Sequence, residues 1–111
     1  MGTFHLTFYG WIPIMHVLKR KTLVDFYTKY PASKGALEAW FDEAKRASWL
    51  MPDDIRKRFN SADFIAGNRV IFNICGNNYR LIVIVQYKAK RVLIRFIGTH
   101  KEYDKIDAEK I

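Results

Sequence analysis

Four side chains near the C-terminal end of this 111-residue sequence are of the types that handle phosphate and protons: Arg80, His100, Lys101 and Tyr103. Arg80 sits inside the strongest strand pattern of the chain. A charge in the middle of a strand is normally avoided unless it has a partner. Arg80 therefore asks for an anion: a phosphate, or a carboxylate such as Asp42, Asp53, Asp63 or Asp104. His100 is the one residue of this cluster that exchanges protons near neutral pH without help. Lys101 adds a cation and Tyr103 an aromatic hydroxyl. Read from residue types alone, His100 is also explained as an exposed or capping histidine.

Other chemistries find less support. His5, His16 and His100 lack metal-ligand spacing and there is one cysteine, so neither a metal nor another cofactor is expected. No glycine-rich stretch resembles a phosphate-binding loop. Cys75, beside a turn, reads as an inert, half-buried thiol. Asp42 and Glu43 are adjacent and point apart on a helix, which makes a poor acid–base pair.

Charge names the class of partner. Nineteen Lys plus Arg stand against eleven Asp plus Glu, a formal net charge of +8. Such an excess opposes compaction and attracts polyanions. Charge alone does not choose among nucleic acid, an acidic membrane surface and an acidic protein; outside the central cluster the basic residues that an RNA partner would use are Arg56, Lys57, Arg58, Lys88, Lys90, Arg91 and Arg95. No stretch approaches the roughly 18–20 uncharged apolar residues of a membrane span. The N-terminal segment lacks the basic start and small-residue cleavage site of a signal peptide. A single cysteine cannot close an intrachain disulfide. A cytoplasmic location and no membrane partner are expected.

The elements that must position these residues follow from periodicity. Residues 1–14 carry no charge apart from what His5 can acquire, in a chain that is 27% charged overall. They are read either as an extra strand or as a leader of uncertain status. The single domain then covers residues 15–111. His16–Lys19 reads as a short strand. Leu23, Phe26, Tyr27 and Tyr30 share a helix face that Pro31 ends, predicting a helix over about Lys21–Tyr30. Ser33 reads as the N-cap of a second helix, with Leu37, Trp40, Phe41, Ala44 and Ser48 along one stripe. Pro52-Asp53-Asp54 opens a short helical turn. Val70–Ile74, Tyr79–Tyr87 and Arg91–Ile97 read as strands, with Gly98 ending the last, and His100–Lys110 can form a short terminal helix. The fold class is α+β: two N-terminal helices on one face of a small, mostly antiparallel sheet.

Alternation sorts that sheet into two faces. Tyr79, Leu81, Val83 and Val85 share one with Val92, Ile94 and Phe96, which should lie under the helices. Arg80, Ile82 and Ile84 share the other with Arg91, Leu93, Arg95 and Ile97. A tight hairpin at Lys88-Ala89-Lys90 then sets Arg80 opposite about Ile97, a few residues from His100.

Two runs carry a family resemblance. Arg69–Ile82, reading RVIFNICGNNYRLI, resembles the "vvFnixGNxYRLi" signature of HigB-type toxins. Ile97–Ile106, reading IGTHKEYDKI, is similar to their closing "GTHxEYDxI". Pro52–Ile55 and Ser61–Asp63 also match, and the likeness runs from about Met15 to Asp107, leaving residues 1–14 without a counterpart. The resemblance implies a RelE-like fold and an mRNA endoribonuclease of a type II toxin–antitoxin system that acts at the ribosome. A HigA-like helix-turn-helix antitoxin is the implied partner, and DNA is met only through it. In that superfamily a central-strand arginine and basic or histidine residues after the last strand contact the scissile phosphate. These correspond to Arg80 and to His100-Lys101, with Tyr103 nearby. RNA can be cut without metal by its own 2′-OH, given a base, a cation for the phosphorane and an acid. His100 is then the base or acid, with Arg80 and Lys101 on the phosphate. Two rivals predict the same charge: a non-catalytic RNA-binding module, and a protein-interaction domain that docks an acidic partner.

Overall fold

The computed structural model describes residues 3–7 and 10–111, with side chains from Ile14 onward. Strands β1 (Thr3–Thr7) and β2 (Gly10–Ile14) form an antiparallel pair of their own. The main sheet has five strands in the order β3 (His16–Leu18), β7 (Arg91–Thr99), β6 (Tyr79–Gln86), β5 (Arg69–Ile74) and β4 (Asp63–Ile65). Only the β3–β7 pairing is parallel. The helices are α1 (Arg20–Lys29), α2 (Lys34–Arg46), α3 (Pro52–Arg58) and α4 (His100–Tyr103). The expected α+β class, with its mostly antiparallel sheet, is what the chain adopts.

The apolar stripes seen in the sequence build the core. Leu23 of α1 and Leu37, Trp40 and Ala44 of α2 are buried in one cluster with Leu81, Val83, Val85, Val92, Ile94 and Ile97. Trp40 meets Phe72 edge-on at 5.4 Å, and Phe26 meets Tyr79 at 5.4 Å. Each large side chain so buried contributes about 1.5–3 kcal/mol relative to exposure.

Several boundaries depart from expectation. Ser33 takes the expected N-cap position of α2, but its side chain makes no capping hydrogen bond. It is fully buried in a 3-10 turn, and its hydroxyl donates to the Tyr30 carbonyl at 2.7 Å, beside its own amide, which donates to the same oxygen at 3.0 Å. The edge strand β4 has no counterpart in the sequence pattern, because three residues are too few to display alternation. The terminal helix is one turn, His100–Tyr103, rather than a helix reaching Lys110. Gly98 does not break its strand, since β7 continues to Thr99.

The most consequential difference is a bulge. The register runs Val83↔Ile94 and then Ile82↔Phe96, so Arg95 is the extra residue on β7. Ile94 and Ile97 both join the helix-side core, while Phe96, paired with Ile82, lies on the opposite face. The expectation for Phe96 and Ile97 is thereby inverted: Ile97 lies under the helices and Phe96 on the Arg80 face. The extra residue also moves the partner of Arg80 one place on, from the expected Ile97 to Gly98.

That second face is covered as well. Ile71 and Ile82 lie on it and are 4% and 0% exposed. The C-terminal segment crosses it: Arg69 donates from Nε and from a terminal guanidinium nitrogen to the Ile111 main-chain oxygen, at 3.1 and 2.8 Å. The Tyr103 ring stands 5.9 Å from the Arg80 guanidinium carbon.

Candidate active site on the β6–β7 strand ends

Tyr79 and Arg80 open β6, and Gly98 and Thr99 close β7 directly opposite them. Adjacent antiparallel strands bring the start of one to the end of the other. The chain after Thr99 therefore emerges beside Arg80. Its first turn is pinned at three points. Thr99 Oγ1 accepts from the Glu102 amide at 3.2 Å, and Glu102 Oε1 accepts from the Thr99 amide at 2.8 Å. This reciprocal capping box fixes the start of α4. The His100 amide donates to the Asn78 carbonyl at 3.1 Å, tying α4 to the β5–β6 turn.

Gly98 makes this approach possible. A Cβ placed there would lie 2.5 Å from the tip of the Phe96 ring and 3.2 Å from Glu102 Cβ. A glycine inside a strand often marks such a close backbone approach, and here it lies within β7.

Arg80 is half-buried. It donates to the main-chain oxygens of Asn77 and Tyr79, at 3.0 and 3.2 Å. The ion pairs among the described residues do not include it, so the salt bridge to Asp42, Asp53, Asp63 or Asp104 that would have explained it structurally is not formed. Its guanidinium is backed by the Tyr103 ring. His100 is half-exposed, and its Nδ1 faces Asp104 Oδ2 at 3.1 Å. Asp104 had been weighed only as a partner for Arg80. The signal for its contact with His100 was the four-residue spacing on a turn already read as helical. Lys101 follows His100 on α4 and is exposed.

The peripheral basic residues do not converge on this surface. Lys88, Lys90 and Arg91 surround the β6–β7 hairpin, at the other end of β6 from Arg80 and about 20 Å away at the usual rise per residue. Arg56 pairs with Asp53 at 2.6 Å and lies over the Phe64 ring. Arg58 makes a two-pronged pair with Glu43, which holds its pKa above the ordinary value, first through the hydrogen bond and then through charge. Lys57, exposed beside them, has no ion pair among the described residues. Arg95 is exposed on the bulge. One cleft of about 550 Å³ is lined by Asp42, Glu43, Arg46, Trp49 and Arg58, away from Arg80 and His100. Its acidic wall and the spent charge of Arg58 suit an RNA backbone poorly, so the open strand ends are the better site.

A family model described as HigB_toxin, the RelE-like toxic component of a toxin–antitoxin system, matches residues 33–106. The chain belongs to the HigB toxin family. It is 32% identical to the mRNA interferase toxin HigB of Escherichia coli strain K12 over 92 residues, covering 81% of this chain and 88% of that one. It has the same identity and coverage with the mRNA interferase HigB of Shigella flexneri. With that of Escherichia coli O6:H1 strain CFT073 it is 29% identical over 94 residues, 83% of this chain and 91% of the other. The family match takes in β5, β6, β7 and α4, and with them Arg80, His100, Lys101 and Tyr103. Among the described residues no helix is long and apolar enough to cross a membrane.

Proposed function

We propose that this chain is the mRNA-cleaving toxin of a toxin–antitoxin system, acting on mRNA at the ribosome and restrained by a HigA-like helix-turn-helix antitoxin. The relatives named as mRNA interferases support the reaction class. The observation that carries the site is Arg80: a guanidinium with no carboxylate partner among the described residues, level with the glycine two residues before His100.

The chemistry needs only what this surface offers. A neutral imidazole nitrogen of His100 takes the proton of the 2′-OH. The oxygen attacks the adjacent phosphorus, and the bond to the 5′-oxygen breaks. The products are a 2′,3′-cyclic phosphate and a 5′-hydroxyl, whose oxygen takes up a proton as it leaves. Arg80 bonds two phosphate oxygens at once, as its planar fork allows, and Lys101 adds a point charge as the phosphorane gains negative charge. Tyr103 backs Arg80 and can stack on a base or donate the proton. The antitoxin covers this basic surface or blocks entry to the ribosome.

The test is cleavage mapping on translated mRNA together with ribosome co-sedimentation. His100→Ala should lower cleavage by about 10²–10⁴, the usual worth of a positioned acid or base, and leave affinity nearly intact. Arg80→Ala should damage cleavage strongly with at most a modest effect on affinity. Wild-type cleavage by His100→Ala would remove His100 from the mechanism, and harmless high-level expression of the folded chain would overturn the toxin reading.

A further inference from the structure

We infer that Asp104 is a positioning residue for this reaction: it holds the proton of the His100 imidazole on Nδ1 and so assigns the proton transfer to Nε2. The inference rests on the acid–base role proposed above for His100.

The geometry carries it in three steps. His100 and Asp104 are four residues apart across one helical turn, which the Asp104 amide closes by donating to the His100 carbonyl at 3.0 Å. Their side chains meet at 3.1 Å, through Nδ1 and Oδ2. An ionised carboxylate only accepts hydrogen bonds, so Nδ1 must be the donor and carry the proton. In the neutral ring the lone pair then belongs to Nε2, for which the described residues supply no partner. A histidine side chain free in water favours the opposite arrangement, with the proton on Nε2. Left alone, His100 would present mostly a donor where the reaction needs a base. Where a ring is held this way, the tautomer decides the rate even with its position unchanged. If His100 serves as the acid, the same contact steadies the imidazolium and leaves Nε2–H as the group that gives up its proton.

The surroundings fit a part built to be held still. The capping box of Thr99 and Glu102 and the bond from the His100 amide to Asn78 fix the backbone on which both side chains stand. Asp104 is half-exposed, makes no ion pair with Arg80, and does not bury its carboxylate in the core. Its only side-chain hydrogen bond among the described residues is to the imidazole.

The informative variant is Asp104→Asn. It keeps the size and the backbone turn, but its amide N–H can donate to Nδ1 and drive the proton to Nε2. Asp104→Ala removes the contact altogether. Two quantities are measured on the full chain: the His100 tautomer, by long-range proton–nitrogen NMR, and kcat and KM for mRNA cleavage. The expected result is the Nδ1–H form in the wild type and a majority of the Nε2–H form in both variants. The value of kcat should fall about 10- to 100-fold, with KM within about twofold. Asp104→Ala in a His100→Ala background should add nothing. An Nε2–H ring in the wild type overturns the inference. So does an Asp104→Asn variant that cleaves at the wild-type kcat while His100→Ala is inactive. If His100→Ala is itself fully active, the mechanism above fails on its own account, and the NMR result still decides whether Asp104 sets the tautomer.

Discussion

Lys57 and Arg58 are neighbours on α3 with the same formal charge and different availability. Arg58 gives the Nε–Nη2 edge of its guanidinium to Glu43, so its charge is already compensated by a carboxylate and an RNA phosphate gains less from it. Lys57 has no such prior claim among the described residues. Lys57→Ala should weaken RNA or ribosome binding and reduce the salt dependence of log affinity by about one unit of slope, as loss of one phosphate contact does. Arg58→Ala should change affinity less. Binding titrations at several salt concentrations compare the two, and equal losses would show that the Glu43 pair opens on binding. The sequence exposed the charge at both positions. The pairing was hidden because Glu43 lies fifteen residues away in the chain, on another helix.

Among the elements, the end of β7 is where local geometry decides activity. Gly98→Ala would push a methyl group into the Phe96 ring and against Glu102 Cβ. The ring can give way more easily than the capping turn that Glu102 anchors. We expect a loss of about 1–3 kcal/mol in stability, as overpacking typically produces, visible as a lowered midpoint of urea unfolding. Cleavage should fall further than that loss explains, because α4 carries His100. Parity with the wild type in both measurements would show that the close approach is slack. At the other end of the chain, β1 and β2 pair with each other and stand outside the main sheet, and the family match begins only at residue 33. A chain starting at Met15 should still unfold in one cooperative transition and remain toxic; loss of cooperative unfolding would make the strand pair part of the core.

These elements also show where the sequence could be read. β6 was legible because a continuous, largely β-branched apolar run, Leu81–Val85, lies between the Gly76-Asn77-Asn78 turn and the basic hairpin. The second half of β7 was not. Arg95 interrupts a period of two without changing residue class, so Arg91, Leu93, Arg95 and Ile97 looked like one face. Arg80, His100 and Tyr103 stood out by type and motif, and the topology does bring the strand ends that bear them together. Asp104 was legible only as spacing, and β4 was too short to show any.

At the scale of the molecule, the positive charge is spread along the length of the sheet. The reactive cluster sits at one end of β6 and the lysines of the hairpin at the other. An extended single strand of RNA is the shape that could touch both. The sheet is covered on both faces, by α1 and α2 on one and by the C-terminal segment on the other. Its outermost strands, β3 and β4, are only three residues long. A sheet exposes its unpaired amides and carbonyls along its edges, and long flat edges recruit other chains into aggregates. Here each outer strand offers little template, and β4 begins with a charged Asp63. Repulsion at +8 also keeps copies apart, but salt screens it. Light scattering of the chain alone in about 1 M salt, where screening acts within about 3 Å, should therefore show particles of constant size. Steady growth would mean that charge was the only barrier. Blunt edges would let such a chain persist in dispersed form whenever it is without a partner.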